Sequence, residues 1–259
     1  MDSYMLQTLS NAIDVINIFE TEPKPLSIQD IVQRTNMNRT SVYRILYTLR
    51  SKGILELDKN TGKYSLGIKM VQLASLVLQR LDIKQIARPY LEKLWNEINE
   101  TIHLVIMNEK NAIFIDKLET SNTIFMGSYI GWAAPLYCTA SGKLLLSFQS
   151  EGFIDEYLET VTIEPYTYKT ITHKNDFKNN LRIIREKGYS LDNEEMVEGL
   201  KCIAVPITNA DGLTVASISI SGPTSRMSIK QDQVIELLME YASLVSKKLA
   251  KSSELMIRY

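Results

Sequence analysis

The chain has 259 residues, is 45% hydrophobic, and carries 29 basic against 30 acidic residues for a formal net charge of −1. That length is too great for one small module and fits two domains, and the composition is that of globular rather than disordered protein. Strong overall basicity or acidity, a membrane span of roughly 18 apolar residues and a disulfide framework are all excluded, the last because only Cys138 and Cys202 are present.

The start, Met1-Asp2-Ser3-Tyr4, has neither the basic residues nor the apolar run of a signal peptide, so a cytoplasmic protein with reduced thiols is expected. Leu9, Ile13 and Ile16 mark a first helix, expected to pack under the two that follow. Ser27 can cap a second helix with Asp30 three residues on, and Ile28, Ile31 and Val32 give it one apolar stripe. After a polar break at Thr35–Asn38 a third helix runs from about Arg39 to Lys52. Its Val42, Ile45, Leu46 and Leu49 recur at i, i+3, i+4 and i+7 and define a buried face. The opposite face collects Thr40, Tyr43, Arg44 and Tyr47, which suit phosphates and base edges in a major groove better than an idle surface.

Gly53 ends that helix, and Ile54–Leu57 with Lys63–Leu66 alternate like the strands of a hairpin around Asp58–Gly62. Two helices at helix-turn-helix spacing followed by a hairpin describe a winged helix. Between residues 31 and 67 seven Lys/Arg stand against two acids, a local net charge of +5 in a chain whose total is −1. Positive charge is therefore concentrated where a phosphate backbone would lie. A small helical domain for protein contacts is the bland alternative, and the wing argues against it. The candidate DNA contacts are Asn38, Arg39, Thr40, Ser41, Tyr43, Arg44, Tyr47 and Lys63.

Ile68 to about Leu81 reads as a helix apolar over more than one stripe, as a linker helix covered by its own domain and a partner chain would be. Asp82-Ile83-Lys84 marks a boundary and Gln85–Asn99 another helix. The expected division is a DNA-binding domain over 1–67, a linker helix over 68–83 and a second domain over 84–259. In that domain Ile102–Met107 and Ala112–Leu118 form one strand pair, and Cys202–Ile207 and Thr214–Ile220 another around Asn209-Ala210-Asp211-Gly212. Pro206, which cannot donate to a ladder, belongs at an edge or bulge. Helices are expected near Ala140–Phe148 and Asp176–Lys187. A long last helix is expected to start at Ser228, boxed by Gln231, and to bury Val234, Leu238, Ala242, Val245 and Leu249. Hairpins with flanking helices indicate an α+β sensor-like domain.

Catalytic and metal readings are weak. His103 and His173 lie 70 positions apart with no Cys or second His at ligand spacing. Ser141-Gly142-Lys143 lacks the preceding glycine of a phosphate loop, and no nucleophile–base pair stands out. No metal or cofactor is expected.

Three segments in order carry a resemblance. They are Gly188-Tyr189 with Asp192, Glu194 and Glu195, then Gly199 with Cys202, Ala204 and Pro206, then Ser219 with Ser221, Gly222 and Pro223. With the winged helix before them, the chain resembles the IclR family of bacterial transcription regulators over nearly its full length. A further match is Ala140-Ser141-Gly142-Lys143, although Leu144 and Tyr137 depart from the alanine and histidine frequent there. The resemblance implies a winged helix followed by a GAF-like effector-binding domain, assembly as homodimer or homotetramer, operator DNA as partner and a small organic acid as effector. It implies an effector pocket floored by Ala140 and Ser141. Polar walls would come from Asp192, Cys202, Ser219 and Ser221, and apolar contacts from Met126, Ala134 and Leu200.

Simple physics supports part of this. Thr139 reads as an N-cap, leaving the amides of Ala140 to Gly142 free to attract a carboxylate, with small residues permitting close approach. Ser219 and Ser221 share one face of a strand otherwise filled by isoleucine. Taken singly, Cys202, Leu200 and Met126 fit a plain core and Asp192 a solvated acidic loop. The expected function is a sequence-specific DNA-binding regulator, a repressor of a catabolic operon released or engaged by a small acid, with sugar or oxo acids favoured. The alternatives are an architectural DNA-binding protein with a purely oligomerising second domain, and a small-acid enzyme, which would leave the winged helix unexplained.

Overall fold

The structure, a computed structural model, describes residues 4–22, 24–122 and 127–256. It divides into two compact units, Met1–Arg80 and Leu81–Tyr259.

The first unit holds helices α1 (Gln7–Thr21), α2 (Ile28–Arg34) and α3 (Arg39–Ser51), the hairpin of β1 (Leu55–Leu57) and β2 (Tyr64–Leu66), and helix α4 (Lys69–Gln79). Ser27 and Asp30 form the reciprocal capping box that starts α2. Val42, Ile45, Leu46 and Leu49 are the buried side chains of α3, as their spacing requires. Gly53 takes φ +74° where the chain leaves α3, a conformation open to glycine at little cost. The wing is antiparallel, with Leu57 opposite Tyr64. Leu26 adds a single bridge to Tyr64, which ties the segment before α2 to the wing.

One expectation for α1 is corrected. Val15 and Phe19 are its buried residues, with Ala12, Ile16 and Ile18 partly covered, while Leu9 and Ile13 are exposed. The helix has two apolar stripes, and the core takes the one containing the bulkier Phe19. In α4 no residue is fully buried: Val71, Leu73, Leu76 and Val77 are all exposed, as is Ile68 at its N-cap.

The second unit begins with α5 (Asp82–Ile98), three residues earlier than its apolar pattern indicates, with Asp82 in the first turn where the helix dipole favours an acid. A six-stranded antiparallel sheet follows in the order β5-β4-β3-β8-β7-β6. Its strands are β3 (Thr101–Asn108), β4 (Asn111–Leu118), β5 (Ala133–Pro135), β6 (Ser190–Asn193), β7 (Leu200–Thr208) and β8 (Thr214–Pro223). Helices α5 and α10 (Gln231–Met256) pack on one face, and α6 (Ala140–Ser147) lies on the other with α8 (Lys174–Lys187) behind it. Ile102, Ile203, Ile218 and Ile220 alternate onto the α5/α10 face, where Leu91, Leu94, Val234 and Leu238 are also fully buried. Pro206 lies on a central strand, but two residues past the last β6 pairing and beside the register shift at Ile207/Thr208, so its missing N–H leaves no gap in a ladder.

Four short elements escaped the sequence pattern, the strands β5 and β6 and the helices α7 (Glu151–Thr160) and α9 (Thr224–Ile229). Helix α9 corrects the expected start of the last helix. Ser228 lies inside α9, where its Oγ accepts from Lys201 Nζ at 3.3 Å, and α10 starts at Gln231. Arg226 and Lys230 both engage the buried Glu100 carboxylate, which fixes the turn between α9 and α10 at that point. Among the described residues no helix is long and apolar enough to cross a membrane.

Candidate functional site

Helix α3 is held by its apolar face and presents the other to solvent. Thr40, Tyr43, Arg44 and Tyr47 are exposed on it, as is Lys63 beside the wing and Arg39 at the helix start. Among the described residues none of the side chains of Arg39, Tyr43, Arg44, Tyr47 or Lys63 has a hydrogen-bond partner. Two exposed tyrosines, 56% and 64% accessible, stand with two solvent-exposed guanidinium groups, so this face offers stacking surface, hydroxyls and positive charge together. Asn38 has a structural task as well, since its side chain accepts from the Ser41 amide at 2.9 Å and caps α3. Ser41 is half-buried, the least accessible of the candidate DNA contacts.

The second unit contains a cavity of about 510 Å³ between the sheet and the start of α6. Strand register builds its floor. Asp192, Cys202, Ser221 and Thr101 stand in one row across β6, β7, β8 and β3, and Ala204, Ser219 and His103 in the next. Asp192, Leu200, Cys202, Ser219 and Ser221 line the cavity, and Ala140 and Ser141 close it from the N-terminus of α6. Seven of the nine expected effector contacts thus meet in one place. Ala134 does not: it pairs with Ala112 between β5 and β4 and is buried in the core. Met126 lies outside the described residues. Tyr137 and Leu144, where the sequence departs from the pattern it resembles, also lie in the core rather than on the cavity.

The α6 terminus differs from expectation at Gly142. Its amide donates to Thr139 Oγ1 at 3.0 Å, so only the Ala140 and Ser141 amides remain without partners among the described residues. Gly142 is small for a different reason than ligand access: a Cβ there would come within 2.7 Å of the Leu136 backbone. Ser141 Oγ is buried, borders the cavity and has no hydrogen-bond partner among the described residues. Asp192 Oδ1 accepts from the Glu195 amide at 2.7 Å, and Glu195 in turn pairs with the buried Lys143. Burial pushes the Asp192 carboxyl up to about 7, against the opposing pull of that amide and of Lys143. Burial likewise raises the Cys202 thiol well above its usual value, and both cysteines are free thiols.

His103, Phe114, Trp132, Thr139 and Met196 also border the cavity and were not picked out by sequence reasoning. His103 meets Phe114 edge-on with ring centroids 4.9 Å apart, and Trp132 follows Phe114 at 4.9 Å, so three rings form one wall. A lone histidine in an apolar strand carries no signal of that role.

Comparison with known proteins places both units. The sequence model of the IclR helix-turn-helix domain matches residues 8–59, and that of the bacterial transcriptional regulator IclR C-terminal domain matches residues 75–247. The chain is 34% identical over 248 residues to the HTH-type transcriptional regulator KdgR of Escherichia coli, covering 95% of this chain and 92% of that one. It is 32% identical over 247 residues to the DNA-binding transcriptional repressor YiaJ of the same organism, covering 94% and 88%. The crystal structure of Thermotoga maritima IclR superposes with a TM-score of 0.72 at 34% identity, covering 95% of this chain and all of that one. An IclR homologue of Microbacterium hydrocarbonoxydans, solved with 4-hydroxybenzoate, shares the fold with a TM-score of 0.79 at 22% identity, covering 93% and 98%. These relatives are transcriptional regulators and not enzymes. With a helix-turn-helix match and a C-terminal match in order along most of its length, the protein belongs to the IclR family of DNA-binding transcriptional regulators.

Proposed function

We propose that this regulator is a repressor of a catabolic operon, that it reads its operator with α3 and the wing, and that a small hydroxylated carboxylic acid bound in the 510 Å³ cavity controls it. The carrying observation is the buried, unpartnered Ser141 Oγ beside the two free amides of Ala140 and Ser141. A buried polar group without a partner is costly, and a carboxylate would satisfy the hydroxyl and both amides together. Asp192, opposite in the sheet, pairs with a hydroxyl in either protonation state, and near neutrality its raised pKa limits repulsion of an anionic guest. The relative solved with 4-hydroxybenzoate supports a small acid as the ligand class.

On the DNA side, Arg44 and Tyr43 read bases, Arg39 and Lys63 grip phosphates, Thr40 and Tyr47 extend the contact, and Asn38 and Ser41 sit at the end of the helix that enters the groove. Arg44→Ala should cost about 1–3 kcal/mol on operator DNA and relax specificity, whereas Lys63→Ala should weaken all sequences alike and lower the salt slope by about one charge. On the ligand side, a thermal-shift series of sugar, oxo and aromatic acids against neutral and cationic compounds should find stabilisation among the acids. Asp192→Ala should abolish the response and spare operator binding. Stabilisation by neutral or cationic compounds with none from any acid would overturn the effector reading, and unchanged operator affinity of Arg44→Ala would overturn the helix assignment.

A further inference from the structure

One buried polar pair has no part in that reading. His103 is 1% exposed on β3, its Nε2 lies 2.8 Å from Ser128 Oγ, its Nδ1 has no partner among the described residues, and both residues border the effector cavity. The edge-on Phe114 ring fixes the imidazole from the side. Burial, with the charge of nearby Lys117, brings its pKa down to about 3, so it offers one N–H and one lone pair but no charge. The Ser128 hydroxyl can donate to or accept from Nε2, which leaves Nδ1 to donate or accept in turn. A hydroxyl group, itself donor and acceptor, satisfies either tautomer. A carboxylate satisfies only one, and the imidazole itself brings no charge to hold it.

The position of this pair sets a length. Strands β3 and β6 are separated by β8 and β7, so His103 and Asp192 stand three strand spacings apart, about 14 Å across the sheet. His103 is also one row further along, roughly 7 Å. Side chains reaching in from both ends shorten the gap, but a ligand that touches both must still be several bonds long.

We propose that His103, held by Ser128, is a specificity-determining residue that pairs through Nδ1 with an effector hydroxyl remote from the carboxylate, which makes the ligand a polyhydroxylated acid of about five or six carbons rather than a two- or three-carbon acid. The proposal rests on the small-acid reading above and narrows it.

The full-length protein can be titrated by calorimetry with gluconate, galactonate and glucuronate, with hexanoate as the same length without hydroxyls, and with glycolate as the short hydroxy acid. At least one sugar acid should bind about tenfold or more tighter than hexanoate and glycolate, because a site built to pair a hydroxyl discriminates against ligands lacking it. His103→Phe, which keeps a ring against Phe114, should bring that preference to within about threefold while hexanoate binding persists. Ser128→Ala, which lies outside the sheet, should reduce the preference in the same direction, and it serves if His103→Phe fails to fold. The chain has two histidines, and His173 is exposed, so ¹⁵N-histidine spectra carry an internal control. The sugar acid should shift the His103 Nδ1 resonance and leave the His173 resonances in place. Binding of acids with the same preference in both variants, or glycolate binding as tightly as the sugar acids, overturns this inference and leaves the small-acid reading standing. Failure of every acid to bind overturns both.

Discussion

Burial pushes the Asp192 carboxyl up to about 7 and the His103 imidazole down to about 3, so the cavity favours the neutral form of each. Their consequences for stability run in opposite directions. The folded protein holds the Asp192 proton that the unfolded chain releases near the ordinary aspartate value of 3.8. Stability from this group is therefore lost as pH rises from there to about 7. His103 stays unprotonated in the fold, while the unfolded chain takes up its proton below 6.5, so stability is lost as pH falls from 6.5 toward 3. The Lys143 charge lowers and the Glu195 charge raises the Asp192 carboxyl, and because the two are paired with each other neither overturns the effect of burial. Asp192→Asn keeps an acceptor for the Glu195 amide and removes the titration. The variant should melt higher than wild type at pH 8, with the difference shrinking toward pH 5. A constant or inverted difference across that range would show that the carboxyl is not held neutral.

At the scale of elements, α6 is the part whose position decides the cavity, and Gly142 is the residue that lets it sit close. A Cβ at Gly142 would stand 2.5 Å from Thr139 Oγ1 and 2.6 Å from Leu136 Cα. Backbone cannot step aside, so Gly142→Ala should destabilise by about 1–3 kcal/mol, as overpacking does. Gly152 in α7 is the internal contrast, with nothing within 4 Å of its Cβ position. Gly152→Ala should stabilise by about 0.5–1 kcal/mol through helix propensity. Urea titration of both variants checks the pair, and equal effects would show that α6 is not seated as tightly as its contacts indicate. Elements of this kind were legible in the sequence when one face alone was apolar: α3 and its wing, the two hairpins of the sheet, and α8 follow directly from spacing. Legibility failed where a pattern admitted two answers. In α1 both stripes are apolar, and only tertiary packing selects Val15 and Phe19 over Leu9 and Ile13. Ser228 and Gln231 have capping-box spacing, but Thr224–Ile229 forms a helix of its own that takes in Ser228. Strand β6 is four residues ending in Asp192 and Asn193, which resembles a loop until β7 pairs with it. The cavity residues of the shared motifs were found through the resemblance to the IclR family, and the strand period supported only Ser219 and Ser221 independently. His103 and Ser128 were not, because they are 25 residues apart and meet only in the fold.

For the molecule as a whole, the question is how a ligand in the second unit reaches operator affinity, and α4 is the element with surface to spare. Ile68, Val71, Leu73, Leu76 and Val77 expose between 45% and 66% of their area on it, with no residue of the helix fully buried. Surface of that character is costly to leave in water, and each such side chain is worth about 1.5–3 kcal/mol on full burial. We propose that a second copy covers it, because a single winged helix buries too little DNA for tight specific binding and a dimer engages two half-sites on one duplex. Effector and operator would then be linked through the paired state, with a coupling of about 1–3 kcal/mol, or 5- to 150-fold in operator affinity. Leu73→Glu places a charge in that seam, where desolvation would penalise association. Because Leu73 is 45% exposed in the single chain, the substitution should leave each unit folded and the cavity able to bind acid. Sedimentation should show a shift toward monomer, and operator titration should show weakened binding that the acid no longer modulates. A Leu73→Glu protein that stays oligomeric, binds operator normally and still responds to the acid would remove α4 from both assembly and transmission.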